Sequence, residues 1–244
     1  MGMTGTIPTG RVRSSMPMVG GMDGCAGGWV LVTAPAEGQC ETVVQVVPNL
    51  HPVAAMVKSD ELAAVGIDIP IGLSDTYPRA CDVEARKKLG PRASSVFPAP
   101  IRAVLHAITY EEAAALSVAA CGKSLPKQLF NILAKIAEVD SVISPELQNS
   151  VFEVHPEVSF WAMAGRPMAY YKRTPQGRDE RLALLRKEFS DLDRGISSRP
   201  PKCSVDDVLD AYAAAWTARR RLAGTSVRLG GDVDTRGLRM EVIA

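Results

Sequence analysis

The chain has 244 residues, of which 46% are hydrophobic and 23% are charged, and its formal net charge is +1. Such a chain is long enough to bury a sizeable core, and its near-zero charge excludes the global basic field of a tight, non-specific nucleic-acid binder. The five cysteines are widely spaced and form no C-x-x-C pair, so a thiolate zinc site is not predicted.

The first residues are predicted to stand outside the folded domain. Residues 1–17 are rich in Gly, Thr, Ser and Arg and contain no apolar stretch, which predicts a disordered leader rather than a signal peptide. No apolar run along the chain is long enough to span a membrane. We therefore expect a cytoplasmic protein without a membrane partner, whose folded domain covers residues 18–240.

The first folded segments predict an antiparallel meander and a helical crossover. Apolar runs at about 18–23, 29–33 and 42–47 are joined by short Gly- and Pro-containing turns, which is typical of antiparallel strands. Residues 50–62 are expected to be helical and to lead into a fourth strand that ends at Asp68. Because a helix joins the third and fourth strands, the fourth is expected to lie parallel to the first.

The rest of the chain is predicted to be mostly helical. Residues at about 74–150 form a helical insertion, with helices expected near 78–89, 110–120 and 126–140. A fifth strand is predicted at 151–155, and helices at 182–189 and about 205–222, before a Gly-rich tail that ends in a short edge strand. The predicted fold class is therefore α/β, a mixed five-stranded sheet with flanking helices and a helical insertion.

Two predicted strands end on an aspartate. Asp23 precedes Gly24, and Asp68 lies within an apolar run before Ile69 and Pro70. If the first and fourth strands are neighbours, both carboxylates project at one edge of the sheet and can hold a divalent metal between them. The alternatives are a turn role for Asp23, whose side chain can bond its own backbone, and a buried hydrogen-bonding role for Asp68.

A third group of acids opens the helix predicted at 205–222. Ser204 is its expected N-cap, and Asp207 completes an acidic variant of the capping box. Asp207 and Asp210 are three residues apart and share a helix face. Capping and the helix dipole explain Asp207. Asp210 is followed by several alanines, which indicates a tightly packed helix with Asp210 facing a site.

Three polar residues alternate along a strand predicted over 152–158, namely Glu153, His155 and Glu157. A period of two would place them on one face. One interpretation makes Glu157 an added metal ligand and His155 a proton shuttle or orienting residue. The other interpretation is an exposed polar face of the sheet.

Basic residues follow the fourth strand and include Arg79, Arg86 and Arg92, and a second group contains Lys172 and Arg173. A solvated helix surface is the simplest explanation for such runs. The alternative is a local grip on substrate phosphates beside the metal site. The chain has no G-x-S-x-G elbow and no H-E-x-x-H motif.

Several short stretches together resemble an uncharacterised domain-of-unknown-function family described as predicted nucleases of the RNase H-like fold. The stretches are 21–25 with 28–29, 66–73, 79–86, 94–100, 135–140, 153–157 and 206–211. The resemblance covers roughly residues 18–240 and implies an RNase H-like fold, in agreement with the strand order above. It also implies that acids at the ends of the first and fourth strands and on the last helix bind two metals, which corresponds to Asp23, Asp68 and the pair Asp207 and Asp210.

The predicted function is metal-dependent phosphodiester hydrolysis in nucleic acid or a nucleotide. Two Mg²⁺ or Mn²⁺ ions, roughly 4 Å apart, would activate water and stabilise the leaving oxygen. The predicted metal ligands are Asp23, Asp68, Asp210 and Glu157, with Asp207 completing the catalytic acids, and the predicted phosphate-binding residues are Arg79, Arg86 and Arg92. Two alternatives stay open, namely an enzyme acting on small phosphoesters and a non-catalytic module that binds a partner or a nucleotide.

Overall fold

A mixed five-stranded β-sheet forms the centre of the fold. The computed structural model describes residues 16–38, 41–76 and 78–244, so the predicted leader lies almost wholly outside the described residues. The sheet contains β1 (Met18–Cys25), β2 (Gly28–Pro35), β3 (Val43–Val47), β4 (Ala64–Ile67) and β5 (Val151–Glu153), and helix α1 (His51–Lys58) precedes β4. The spatial order is β3-β2-β1-β4-β5, with β1 antiparallel to β2 and parallel to β4. The predicted α/β class and parallel fourth strand are confirmed, and the arrangement is consistent with an RNase H-like fold.

Helices occupy the segment between β4 and β5, where the insertion was expected. They are α2 (Ala80–Leu89), α3 (Tyr110–Cys121), α4 (Lys127–Phe130) and α5 (Leu133–Val142), with 3₁₀ turns at Gly90–Ser95, Arg102–Val104 and Leu147–Asn149. Helix α5 attaches the insertion to the sheet. Glu138 accepts hydrogen bonds from Trp29 Nε1 at 3.1 Å and from the backbone N–H of Leu50 at 2.8 Å. Ile136 and Val139 belong to the same buried cluster as Trp29.

The chain after β5 departs from the prediction at one point. Strand β5 ends at Glu153, and Pro156 begins helix α6 (Pro156–Ala164). The strand predicted over 152–158 is therefore wrong beyond its first residues. Proline has no backbone N–H and a fixed φ that suits the first helical turn, which explains the switch. Glu153, His155 and Glu157 consequently do not share the face of one strand.

The C-terminal part contains α7 (Pro175–Glu188), α8 (Leu192–Ser197), α9 (Val205–Leu222), β6 (Arg228–Val233) and β7 (Arg239–Ile243). Helix α9 begins as predicted, with Ser204 and Asp207 forming the capping box. The tail forms an antiparallel hairpin rather than one edge strand, and a bridge between Val154 and Ile243 joins the hairpin to the end of β5. Within the described ranges, no helix combines the length and apolarity needed to cross a membrane.

Helix α9 lies directly on the backbone of β1 and β4. Gly21 and Gly66 are paired across these two strands. A Cβ atom on Gly21 would lie 2.1 Å from the carbonyl oxygen of Ala211, and one on Gly66 would lie 2.7 Å from that of Ala214. Because only glycine permits this approach, the two residues allow α9 to reach the edge where β1 and β4 end.

Candidate metal centre

Three carboxylates converge where β1 and β4 end against α9. Asp23 lies near the end of β1, Asp68 directly follows β4, and Asp210 is in the second turn of α9. The ligand oxygens that the three residues offer all lie within 4.8 Å of one another. The convergence predicted from the two strand ends and from the helix is therefore confirmed.

The backbone holds each of these acids in place. Oδ1 of Asp23 accepts a hydrogen bond from the N–H of Gly24 at 2.7 Å, which is the turn contact expected of Asp before Gly. The backbone N–H of Asp68 donates to the carbonyl of Met22 at 2.9 Å, so the two strands stay paired up to the acids. Asp210 is only 4% exposed and reaches the group because its helix lies on the sheet glycines.

Burial raises the pKa of all three carboxyl groups, and the charges of neighbouring acids add to the effect. Burial, followed by the charge of Asp210, raises the pKa of Asp68 from 3.8 to about 7. Burial, followed by the charges of Asp68 and Asp210, raises the pKa of Asp23 well above its ordinary value. Burial also raises the pKa of Asp210, although Lys172 opposes this effect. A bound cation would relieve the repulsion and favour the ionised forms.

A lysine supplies positive charge at the group. Nζ of Lys172, in the loop before α7, donates a hydrogen bond to Oδ2 of Asp210 at 2.7 Å. The charge of Asp210, with smaller contributions from Asp68 and Asp23, raises the pKa of Lys172. The ammonium is therefore protonated at neutral pH. Because the Lys172 side chain is 43% exposed, it also remains accessible to water.

Asp23 and Asp68 open into a cleft of about 740 Å³. Its lining includes the strand ends with Asp23 and Asp68, residues of segment 92–97, residues of α4 and α5, segment 153–157 and loop 171–173. This volume lies within the roughly 300–1,000 Å³ that is typical of small-molecule sites. The cleft can therefore enclose one ligand group beside the carboxylates.

Two further predicted acids are engaged by other partners. Oδ2 of Asp207 accepts a hydrogen bond from the backbone N–H of Ser204 at 2.8 Å in the capping box. Both oxygens of Glu157, in the first turn of α6, accept hydrogen bonds from Arg181, at 2.6 and 2.7 Å. Both carboxylates add to the charge repulsion at the group of three. Neither belongs to that group.

Arg79 is a structural ion-pair residue in this fold and not a free phosphate-binding side chain. It is 3% exposed and donates to Glu153 and Asp82 at 2.7 Å each, and to the carbonyls of Ile71 and Gly72. The guanidinium thus ties the start of α2 to β5 and to the segment after β4. Because two buried carboxylates already surround it, Arg79 is not retained as a phosphate-binding residue.

Arg86 and Arg92 hold loops beside the cleft. Arg86 donates to the carbonyl of Val96 at 2.7 Å, and it is not among the residues that line the cleft. Arg92 does line the cleft, where it donates to the backbone carbonyls of 168–169 and its guanidinium lies 4.1 Å from the ring centre of Tyr171. Arg92 therefore positions the loop before α7.

His155 lines the cleft between β5 and α6. Its Nε2 lies 3.2 Å from the backbone oxygen of Ser95, which makes that nitrogen the donor. Its Nδ1 is buried and has no hydrogen-bond partner among the described residues. Burial lowers the pKa of the imidazole, against the opposing charge of Glu157. A neutral ring with an open acceptor nitrogen is suited to the predicted role of proton shuttle or orienting residue.

Two lysines at the site were not predicted as individual site residues. Lys135 of α5 lines the cleft, donates to the carbonyl of Gly28 at 2.5 Å and lies 4.4 Å from the ring centre of Trp29. Lys172 belonged to a basic cluster with Arg173, and nothing in its spacing linked it to acids on other elements. The cluster predicts either a solvated surface or a grip on phosphates, and it holds no signal for an ion pair with Asp210.

Comparison with known proteins identifies the family of this chain. The family described as "Protein of unknown function (DUF429)" matches residues 21–235. The match spans most of the chain, including all three acids of the group, so the chain belongs to this family. Comparisons with curated proteins and with solved structures found no match.

Proposed function

We propose that the protein hydrolyses phosphodiester bonds, in nucleic acid or a nucleotide, in a reaction that depends on Mg²⁺ or Mn²⁺. The observation that carries this proposal is the convergence of Asp23, Asp68 and Asp210, whose ligand oxygens lie within 4.8 Å of one another. Asp23 and Asp68 also line the cleft, so an ion held by the group would be accessible to a substrate.

The donor set fits a hard divalent cation. It consists of three carboxylates, and hard oxygen donors favour Mg²⁺, Mn²⁺ and Ca²⁺ over softer metals. Burial, followed by the charges of the neighbouring acids, raises the pKa of Asp23 and of Asp68, and a cation bound at the group would offset both effects. A bound ion would polarise a phosphoryl oxygen and lower the pKa of an attacking water.

The chain's own residues support this chemistry in three ways. Lys172 compensates part of the negative charge of Asp210. His155 offers an unpartnered ring nitrogen that can accept a proton at the cleft wall. In a two-ion form of the proposal, Asp207 and Glu157 are the candidates for further oxygen ligands, because both lie close enough to the group to repel it.

The topology supports the nuclease part of the proposal. The acids lie at the ends of the parallel neighbours β1 and β4 and on α9, which are the places where the resemblance to RNase H-like nucleases implies metal-binding acids. Fold likeness alone does not fix a reaction. The proposal therefore depends on the three acids and not on the fold alone.

Metal binding and cleavage should be measured on the same preparations. Isothermal titration with Mn²⁺ should show binding to the wild type and to Asp75→Asn, which changes an exposed acid outside the group, but not to Asp68→Asn. Cleavage of single-stranded, duplex and branched DNA, RNA and RNA–DNA hybrids should require Mg²⁺ or Mn²⁺ and stop in EDTA. If Mn²⁺ binds and no polymer is cut, a small-phosphoester enzyme replaces the nuclease; if no metal binds, the partner-binding module does.

A further inference from the structure

The positive charge available to a substrate in the cleft is small. The cations that line it are Arg79, Arg92, Lys135, Lys172, Arg173 and Arg181. Arg79 and Arg181 are buried in pairs with Glu153 and Glu157, and Lys172 is paired with Asp210. Three of the six therefore already neutralise carboxylates of the protein and cannot also compensate a chain of phosphates.

The other three differ in how freely they can reach a ligand. Arg92 is held by two backbone carbonyls and by the ring of Tyr171. Lys135 has a carbonyl and an aromatic ring as partners but no carboxylate. Arg173 is exposed and makes no hydrogen bond or ion pair with the described residues. Lys135 and Arg173 are thus the cations best placed to compensate one or two phosphates.

The size of the cleft also limits how much of a nucleic acid it can hold. At about 740 Å³ it has the volume of a small-molecule site. Specific protein–DNA interfaces instead bury roughly 1,000–2,500 Å² of strongly positive protein surface. The small cleft and the net charge of +1 both favour one nucleotide unit as the ligand over the middle of a duplex.

An aromatic ring lines the same cleft. Phe97 is 50% exposed although its neighbour Val96 is almost fully buried, and no aromatic or cationic partner covers its ring among the described residues. Ile132 of the insertion, 37% exposed, adds a second apolar surface to the lining. Exposed aromatic rings beside a phosphate-binding site commonly stack on unpaired bases, since every base has a π-face.

Resting on the proposed function, we propose that the substrate is the free end of a single-stranded nucleic acid. The terminal base stacks on Phe97, its phosphodiester lies at Asp23 and Asp68, and Lys135 and Arg173 compensate its charge. Hydrolysis adds water across the bond. The phosphorus–oxygen bond to the leaving sugar breaks, a bond to the water oxygen forms, the leaving oxygen takes up a proton, and a mononucleotide is released.

Matched linear and covalently closed circular strands test this directly. DNA and RNA forms of one sequence, each linear and circular, are incubated with the wild type and Mn²⁺ at low salt. We expect a linear strand to be shortened to mononucleotides while its circular form stays intact. Cleavage of the circle would overturn the end-specific inference and leave the proposed hydrolysis standing. If no single strand is cut although Mn²⁺ binds, the end-specific inference fails, and the duplex, branched and hybrid substrates decide whether nuclease activity fails with it.

Phe97 gives a second test that does not depend on the product pattern. Phe97→Ala should raise KM for the linear strand at least tenfold with kcat changed less than threefold, and Phe97→Trp should restore KM. Ile108→Ala, which alters an 87% exposed apolar residue outside the cleft, should leave both constants unchanged. An unchanged KM in Phe97→Ala would refute stacking on this ring.

The salt dependence of KM tests the limited phosphate contact. For single strands each neutralised phosphate contributes a slope of about 0.7 to the plot of log affinity against log salt concentration. One or two contacts predict a slope between about −0.7 and −1.4. A slope of about −3 or steeper would mean that a longer tract of phosphates is bound, which contradicts a cleft for one terminal unit.

Discussion

Replacing Asp68 by asparagine should stabilise the metal-free protein at alkaline pH. The Asp68 carboxylate makes no hydrogen bond to any described residue, and its pKa is raised from 3.8 to about 7 by burial and by the charge of Asp210. Ionised Asp68 is therefore less favourable in the folded state than in the unfolded chain. Asparagine has nearly the same shape and removes the charge.

The size of the effect follows from proton linkage. Because the folded-state pKa is the higher one, the folded protein binds more protons between pH 3.8 and about 7. The contribution of Asp68 to stability is thus present below the unfolded pKa and is lost as pH rises toward 7. Each pH unit in this interval lowers the free energy of unfolding of the wild type by about 1.4 kcal/mol, and the whole interval lowers it by on the order of 4 kcal/mol.

The expected observation is a difference curve. The free energy of unfolding of Asp68→Asn minus that of the wild type should rise between about pH 4 and 7 and stay constant above pH 7. In a chain of this length the plateau corresponds to a gain in Tm on the order of 10 °C. Urea unfolding in EDTA from pH 4 to pH 9 measures the curve, with the exposed-site variant Asp75→Asn as the control that should show no such rise.

Metal should narrow the difference in stability between the two proteins. A saturating ion stabilises only the protein that binds it, by about 2.7 kcal/mol at a concentration 100 times Kd. Millimolar Mn²⁺ should therefore raise the stability of the wild type at pH 8 and leave Asp68→Asn unchanged. Loss of stability in metal-free Asp68→Asn at pH 8 would refute the reasoning and make Asp68 a structural hydrogen-bonding residue.

Three other substitutions test separate parts of the structure. Lys172→Met removes the ammonium beside the acids, so it should lower the stability of the metal-free protein at pH 8 and tighten Mn²⁺ binding about tenfold in calorimetry; unchanged binding would contradict competition between lysine and metal. Arg79→Met leaves the buried carboxylate of Glu153 without its cation and should cost about 3–5 kcal/mol in urea unfolding, whereas a cost below about 1 kcal/mol would show that the pair is dispensable. Gly21→Ala should prevent stable folding, because its Cβ would lie 2.1 Å from backbone atoms of α9, whereas the adjacent Gly20→Ala, 3.2 Å from side-chain atoms only, should keep a cooperative transition in circular dichroism.

The sequence was sufficient for the parts of the site that lie on regular elements. Asp23 and Asp68 end apolar runs whose crossover makes them parallel neighbours, and Asp210 precedes the alanines of a well-capped helix. These patterns are local, and the rules for strand direction and helix faces predict from them where the three acids lie in the fold. The convergence of the three carboxylates could therefore be predicted before the structure.

The features that could not be predicted depend on pairing between distant parts of the chain, or on two local signals that disagree. Lys172 reaches Asp210 from an irregular loop, and no periodicity describes such a segment. Arg79 stands in a basic run, which predicts a phosphate contact, whereas its observed partner Glu153 lies 74 residues away in the chain and has no local signal. Alternating polar residues suggested a strand beyond Glu153, although Pro156 was itself a helix-start signal and prevailed.

The attachment of the insertion to the sheet has a consequence for how a substrate is admitted. The insertion is held at both ends, by Arg79 on Glu153 and by Glu138 on Trp29 and Leu50, and it shares a core with the sheet. A hinged movement of the insertion would break these buried contacts together. The cleft wall that it provides is therefore preformed, and amides of α5 should exchange with solvent only in the same global opening as those of β1. Selection of a substrate then depends on steric fit to a rigid cavity and not on closure around whatever binds.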